Sequence, residues 1–302
     1  MKRIALDEFE VLTYIERHQN DICSYTNLAH EIFCPLDRLM EIMDFFKSKD
    51  LIKERESFKY SVTDKGYEVL EPYRVKRAIF IAAGFGSRMV PATLKTPKPL
   101  IRVNGVRIIE PLLDALLEAE IEEIIIVRGY LGEQFDALLD KYPMIKFIEN
   151  PLYNVANNIS SVYLVRELLQ NAYLLESDLL LYNKNLLRKY EYGSNCLGMA
   201  VNYTDDWCFE TEQGYIKKLH IGGENVYHEY GISYWSKEDG YKLKQDYEKV
   251  FHSPGGKERY YDEVPFNEYK DHYKVRVRPV QPGSIVEIDT YSELQQIDST
   301  YK

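Results

Sequence analysis

The sequence predicts an α/β protein: a mixed, mainly parallel sheet covered by helices, with a small helical unit in front of it. Three observations lead there. From residue 78 onward short apolar runs alternate with helical segments; the first of those runs, AIFIA, ends directly in a glycine turn; and the stretch before it changes from helical spacing to a hairpin pattern.

The N-terminal unit comes first in the chain. Phe9, Leu12 and Ile15 are spaced for one face of a helix, a second short helix is expected around Tyr25 to Ile32, and a third from Pro35 to Lys49. LIKERESFKYSVTDKGYEVL then reads as two strands around a polar turn at Glu56 and Ser57, followed by a helix opened by Thr63 or Asp64. This order looks like a winged helix-turn-helix domain over residues 1–73, with Arg55 to Lys59 as the wing. The string D-L-I followed by Y-S-V-T-D-K-G-Y resembles the end of many bacterial winged-helix regulators. Charge opposes DNA as a partner: residues 1–77 hold 13 Lys plus Arg against 15 Asp plus Glu, and from Asp37 to Asp44 the helix that would enter the groove carries Asp37, Glu41 and Asp44 beside Arg38 alone. A docking, dimerising or regulatory role suits that charge better.

Residues 74–77, just after Pro72, form the expected linker. Beyond it the elements follow as strand Ala78 to Ala82, helix Ile108 to Glu118, strand Glu123 to Val127, helix Glu133 to Asp140, strand Ile145 to Ile148, helix Ile159 to Leu169 and strand Tyr173 to Glu176. Ile285, Val286 and Ile288 make a later strand that ends in Asp289. Residues 203–275 read as a small aromatic-rich lid, within a second domain spanning 78–302.

Composition sets outer bounds. The chain has 302 residues, 45% hydrophobic and 28% charged, enough for one large domain and one small. Its net charge of −10 argues against nucleic acid and anionic membranes as general partners, and makes the local cluster of Arg88, Lys95 and Lys98 stand out as a pocket for a small anion. The cysteines, Cys23, Cys34, Cys196 and Cys208, lack metal-ligand or redox spacing, and no apolar run reaches the roughly 20 residues of a membrane span. The expected location is cytoplasmic, with reduced thiols.

Four places can carry chemistry, since ligands of such sheets bind beyond the carboxyl ends of the strands. In Ala82 to Leu100, Gly84 and Gly86 let backbone N–H groups face phosphate oxygens, Arg88 offers a forked cation and Lys98 a point charge. Asp178, at the end of an apolar strand, fits a Mg²⁺ ligand or the cap of the next turn, and Asp289 is open to the same two readings. The fourth place is aromatic: 11 of the 26 tyrosines and both tryptophans lie between Tyr203 and Tyr273, with carboxylates among them. Such residues can build a cage for a quaternary ammonium, or simply fill a core.

The string A-A-G-x-G-S-R-M-x-P-x-T-x-x-x-P-K-P-L resembles the signature of nucleotidyltransferases that make sugar and alcohol nucleotides. With EEIIIVRGYLGEQFD, NPLYNVANNISSVYLV, the ESD after a strand, TDDWCFE, ISYW, YYDE and SIVEID, the chain from Lys76 onward looks like the bacterial CTP:phosphocholine cytidylyltransferases. The resemblance implies a Rossmann-like, GT-A-like nucleotidyltransferase fold, with CTP and phosphocholine as substrates and Mg²⁺ as cofactor. It implies that Arg88 and Lys98 hold the reacting phosphates and that Asp178 and Asp289 ligate the metal. Ala83, Gly84, Gly86, Ser87, Gly129, Tyr130 and Asn158 would surround the nucleotide, and Trp207, Trp235, Tyr260, Tyr261 and Asp262 would face choline. Tyr261 departs from the family pattern, where a tryptophan is expected, and the N-terminal unit is not part of the minimal enzyme. A phosphoethanolamine or 2-aminoethylphosphonate acceptor keeps the same fold, a regulator sensing CTP is the reading from another class, and a homo-oligomer is compatible with all three.

Overall fold

The computed structural model describes residues 3–302 except Asn20, Cys23 and Ser57. It divides into two compact units: residues 1–74 with Tyr190–Tyr192, and Val75–Lys189 with Gly193–Lys302.

In the first unit three helices, α1 (Leu6–Arg17), α2 (Tyr25–Glu31) and α3 (Leu36–Ser48), precede an antiparallel hairpin of β1 (Ile52–Glu56) and β2 (Lys59–Val62), then α4 (Asp64–Leu70). Phe9, Leu12, Ile15, Leu39, Ile42 and Phe46 meet Ile52, Tyr60 and Val62 in one buried cluster, as the helical and alternating spacings require. Thr63 rather than Asp64 opens α4, its hydroxyl accepting the Gly66 N–H at 3.2 Å. Ser57, in the expected wing, and Cys23 lie outside the described residues. Arg38, the cation expected on the exposed side of α3, is held by Asp7 at 2.8 Å and Glu41 at 3.3 Å.

The second unit is built on a seven-stranded sheet. Its central strand β3 (Arg77–Ala82) pairs in parallel with two neighbours whose ranges are Glu123–Arg128 and Ala172–Glu176. Numbered along the chain, the elements after β3 are β4 (Arg102–Val103), β5 (Val106–Arg107), α5 (Glu110–Glu118), β6 (Glu123–Arg128), β7 (Lys146–Glu149), α6 (Ile159–Val165), β8 (Ala172–Glu176) and β9 (Leu179–Leu181). Then come β10 (Asn195–Glu212), β11 (Tyr215–Trp235), α7 (Lys237–Phe251), β12 (Arg276–Pro279), β13 (Ile285–Glu287) and α8 (Tyr291–Ile297). The strand order is β10-β12-β11-β8-β3-β6-β7, parallel from β8 to β7 and antiparallel where β11 joins β8.

Two-residue alternation on β3 and β6 explains the three layers. Ala78, Phe80, Ile124 and Ile126 face a core shared with Leu112, Leu113 and Leu116 of α5. Ile79, Ile81, Ile125 and Val127 face the opposite core, with Ile159 and Val162 of α6 and Leu243 and Tyr247 of α7. Each such apolar side chain contributes about 1.5–3 kcal/mol on burial, so both faces hold the sheet.

Three expectations need correction. Residues 74–77 are not a free linker: Val75 is buried and donates to the Lys189 carbonyl, the Lys76 N–H donates to Asn171, and Arg77 already begins β3. The helix expected over Glu133 to Asp140 is a run of 3₁₀ turns over Gly132–Leu138, and that expected to reach Leu169 is α-helical only to Val165. The segment 203–275 is not a lid set apart from the sheet, because β10 and β11 are themselves sheet strands and α7 packs on the second core.

Candidate active site

A cavity of about 700 Å³ opens beyond the carboxyl ends of β3 and β8. β3 leads straight into the loop Ala83 to Arg88. Gly86 sits at φ +60°, and a Cβ there would lie 3.0 Å from Thr93 and 3.1 Å from Lys98, so glycine is needed both for the turn and for the approach of Lys98. At Gly84 a Cβ would meet nothing, which leaves that stretch of backbone bare toward the cavity. Ser87 and Arg88 complete the wall, the Arg88 side chain 68% exposed.

Lys98, by contrast, is buried. Its ammonium donates to Asp178 at 2.8 Å and to Asp289 at 3.0 Å, while Arg88 donates to Asp289 at 2.8 Å. Burial disfavours the Lys98 charge, but the two carboxylates outweigh it and hold its pKa up at about 12. Neither aspartate serves as a helix cap. The cap of α8 is Thr290, whose hydroxyl accepts the Glu293 N–H while the Glu293 carboxylate accepts those of Asp289 and Thr290, leaving the Asp289 side chain for the cations. Asp178 leads into β9, and its neighbour Ser177 ties β8 to β3 by donating to the Ile81 carbonyl at 3.0 Å.

The block Asn150 to Ser161 supplies another wall. Asn150, 2% exposed, donates to the hydroxyls of Ser160 at 2.9 Å and Ser161 at 3.0 Å, and so pins the end of β7 to the start of α6. Asn158 lines the cavity and accepts the Tyr261 backbone N–H at 2.9 Å.

Seven carboxylates line the cavity, Glu176, Asp178, Asp206, Glu229, Asp262, Glu287 and Asp289, against two cations, Arg88 and Lys98. Burial, reinforced by neighbouring carboxylates, raises Glu176, Glu229 and Glu287 well above the usual range; burial also raises Asp262, to about 7, despite the opposing hydrogen bond from Tyr261. Glu176, Asp178 and Glu287 bring oxygens within 4.8 Å of one another, and Asp178 Oδ1 is buried with no hydrogen-bond partner. That orphaned oxygen in an all-oxygen donor set fits a hard divalent metal ion.

The aromatic expectation divides. Trp207 and Tyr260 do line the cavity, their rings edge to face at 5.4 Å. Trp235 does not: it is 1% exposed, donates to Ser233 Oγ at 2.9 Å and packs against Phe266 and Tyr273 in the second core. Tyr261 is also buried in that core, its carbonyl accepting the Tyr247 hydroxyl at 3.1 Å, whereas Asp262 reaches the cavity. Gly129 and Tyr130 stand behind the glycine loop. A Cβ on Gly129 would be 2.8 Å from Tyr153, and Tyr130 donates from its N–H to Ala83 and from its hydroxyl to Thr93 while its ring packs on Phe85.

Sequence reasoning missed Asp206, Glu229 and Glu287 as wall residues. Asp206 adjoins Trp207 and Glu287 lies two residues before Asp289, so each had a neighbour to mark it. Glu229 had none. Among the described residues no helix is long and apolar enough to cross a membrane.

Residues 78–190 match the MobA-like NTP transferase domain. The 2-aminoethylphosphonate cytidylyltransferase of Lancefieldella rimae is 35% identical over 228 residues, 74% of this chain and 92% of that protein. The choline-phosphate cytidylyltransferase of Streptococcus pneumoniae is 32% identical over 231 residues, 75% of this chain and 98% of that protein. The solved structure of the CTP:phosphocholine cytidylyltransferase from Streptococcus pneumoniae superposes with a TM-score of 0.70 at 31% identity, covering 76% of this chain and all of the other. With the glycine loop, its cations and the acidic cavity arranged on a nucleotidyltransferase sheet, the chain is an enzyme of the nucleotidyltransferase class and belongs to the cytidylyltransferase family that includes these relatives.

Proposed function

We propose that the protein transfers CMP from CTP to phosphocholine, giving CDP-choline and pyrophosphate. The observation that carries this reading is the two-sided wall of one cavity: the glycine loop with Arg88 and Lys98 adjoins Asp178 and Asp289, and the same cavity is lined by Trp207, Tyr260 and Asp262. A phosphocholine oxygen attacks the α-phosphorus of CTP in line, and the bond to the β-phosphate oxygen breaks to release pyrophosphate. No base is required, because a phosphate monoester has its second pKa near about 6 and is largely ionised at neutral pH. Arg88 and Lys98 neutralise the charge that develops on the phosphates, and the bare backbone at Gly84 with Ala83, Gly86 and Ser87 cradles the nucleotide. Asn158 belongs with that group. Asp178, with Glu176, Glu287 or Asp289, would hold Mg²⁺, which supplies Lewis-acid charge to the triphosphate when bound.

Choline would rest on the faces of Trp207 and Tyr260 with Asp262 nearby. A second acceptor, 2-aminoethylphosphonate, is favoured by a specific observation: Glu176, Glu229 and Asp262 offer more hydrogen-bond acceptors than a methylated nitrogen can use. For the first unit the order of helices and hairpin supports the winged-helix reading. The engagement of Arg38 by Asp7 and Glu41 supports a role other than binding DNA.

The test is pyrophosphate release with CTP and, in turn, phosphocholine, phosphoethanolamine, 2-aminoethylphosphonate and glucose 1-phosphate. The highest kcat/KM with phosphocholine supports the main reading, the highest with an unmethylated acceptor supports the second, and release with the sugar phosphate alone refutes both.

A further inference from the structure

We infer that Glu229 is the residue by which the cavity distinguishes a positively charged acceptor from a neutral one. The inference rests on the reading that the acceptor carries a cationic head, and names a residue for it outside the predicted choline set.

Glu229 stands at the start of a continuously buried run of β11, from Glu229 to Trp235, and is its only charged residue. It is 7% exposed, it lines the cavity, and its Oε1 has no hydrogen-bond partner. The charged groups acting on it are Asp262, Glu287 and Asp206, all of its own sign. A buried carboxylate normally keeps its place by pairing, since an unpaired one is costly to desolvate, and a group that only held the fold together would have found a partner in it. Glu229 lines the cavity, accepts from the Gly231 backbone N–H and keeps Oε1 buried without a partner, so the site suits a cation that arrives from outside.

Neighbouring backbone brings a second carboxylate close to the same part of β11. Gly231, at φ +58°, lies so close to Glu176 that a Cβ would be 2.6 Å from the Glu176 side chain. Glu176 therefore lies directly over the strand two residues beyond Glu229. Asp262 adds a third carboxylate from the loop that also carries Tyr260, which packs on Trp207. Glu229 is not one of the three residues whose oxygens gather closely enough for a metal ion. Glu229 and Asp262, with Glu176 shared between them and the trio, line the same cavity as the rings of Trp207 and Tyr260, a setting that suits a cationic head group.

The experiment compares phosphocholine with its uncharged isostere, 3,3-dimethylbutyl phosphate, as acceptors for the full chain and for Glu229→Gln. The wild type is expected to prefer phosphocholine strongly in kcat/KM. In E229Q that preference should fall by roughly tenfold or more, on the order of one lost coulombic contact between desolvated charges, through the acceptor KM and with the CTP KM unchanged. Glu229→Asp, which keeps the charge but withdraws it, should give an intermediate ratio, and provides the readout should E229Q not fold. An E229Q enzyme that still discriminates fully, or one whose half-saturating Mg²⁺ rises while the acceptor KM stays put, overturns the assignment of Glu229 alone. A wild type that accepts both phosphates equally overturns the cationic-acceptor reading together with this inference.

Discussion

The nucleotide side of the cavity and its acceptor side are made on opposite plans. The first comes almost whole from one segment, Ala82 to Leu100, and presents bare backbone and two cations. The second is gathered from the ends of β8 and β13, from β10 and β11 and from the loop at Tyr260, and presents carboxylates and aromatic rings. The first plan suits a polyphosphate and the second a cation. Lys98, between Asp178 and Asp289, stands where the two meet. An acceptor that is anionic at one end and cationic at the other is matched by both sides, and a simple sugar phosphate by only one.

The largest expected effect lies at that junction. Asp178→Ala removes the orphaned oxygen of the carboxylate trio proposed to hold the metal, and turnover should fall by about 10³-fold or more, a loss of about 4 kcal/mol in transition-state stabilisation, with an unchanged circular dichroism spectrum. Near-normal turnover would break the comparison, since the two sides would then need no cation between them.

The two tryptophans sharpen it next. Trp235→Ala should destabilise the fold by about 3–5 kcal/mol, read by chemical denaturation, because the ring is fully buried against Phe266 and Tyr273. Trp207→Ala should cost less stability than Trp235→Ala, because that ring is half-buried on the second core, and should raise the acceptor KM, because it lines the cavity. The reverse pattern would mean that the acceptor side had been wrongly drawn.

The same pair shows what could be read from sequence. Strand ends announced themselves, so the loop after β3, Asp178 and Asp289 could be placed at one cavity by position. Trp235 was misplaced because its aromatic character was legible and its register was not. It pairs with Ala172, the first residue of β8, whereas Ile232 pairs with Leu175, next to Glu176 at the carboxyl end. At about 3.3 Å per residue Trp235 lies some four residues from the cavity end, in the core. Glu229 continues β11 past that carboxyl end, but only strand pairing reveals it. Gly129 and Tyr130 shared the sequence neighbourhood of the nucleotide loop, and the structure sets them behind it, in contact with Ala83, Thr93 and Tyr153.

A smaller effect is expected at Gly231. Gly231→Ala places a methyl against Glu176 in a left-handed backbone, and should cost about 1–3 kcal/mol of stability while weakening acceptor binding more than CTP binding. Equal weakening of both substrates would argue that the two sides are not separately built.

The smallest effect is in pH. Asp262 titrates near 7 when folded and near 3.8 when unfolded, so between those values the native state holds a proton the unfolded chain has lost. The stability that Asp262 contributes to the unliganded protein should therefore be greatest at the acid end of that window and be lost as pH rises through it. The difference in thermal midpoint between the wild type and Asp262→Asn, followed from pH 4 to pH 7, checks this, and a wild type that gains on the variant as pH rises would contradict the crowding of carboxylates on the acceptor side.

The most direct test of the joined cavity is ³¹P NMR of the purified protein with Mg²⁺, CTP and phosphocholine. The expected result is conversion of the phosphomonoester signal to the diphosphate diester of CDP-choline, with an equal amount of pyrophosphate. Hydrolysis of CTP without consumption of phosphocholine, or no change in either, would contradict the claim that one cavity holds both substrates for transfer.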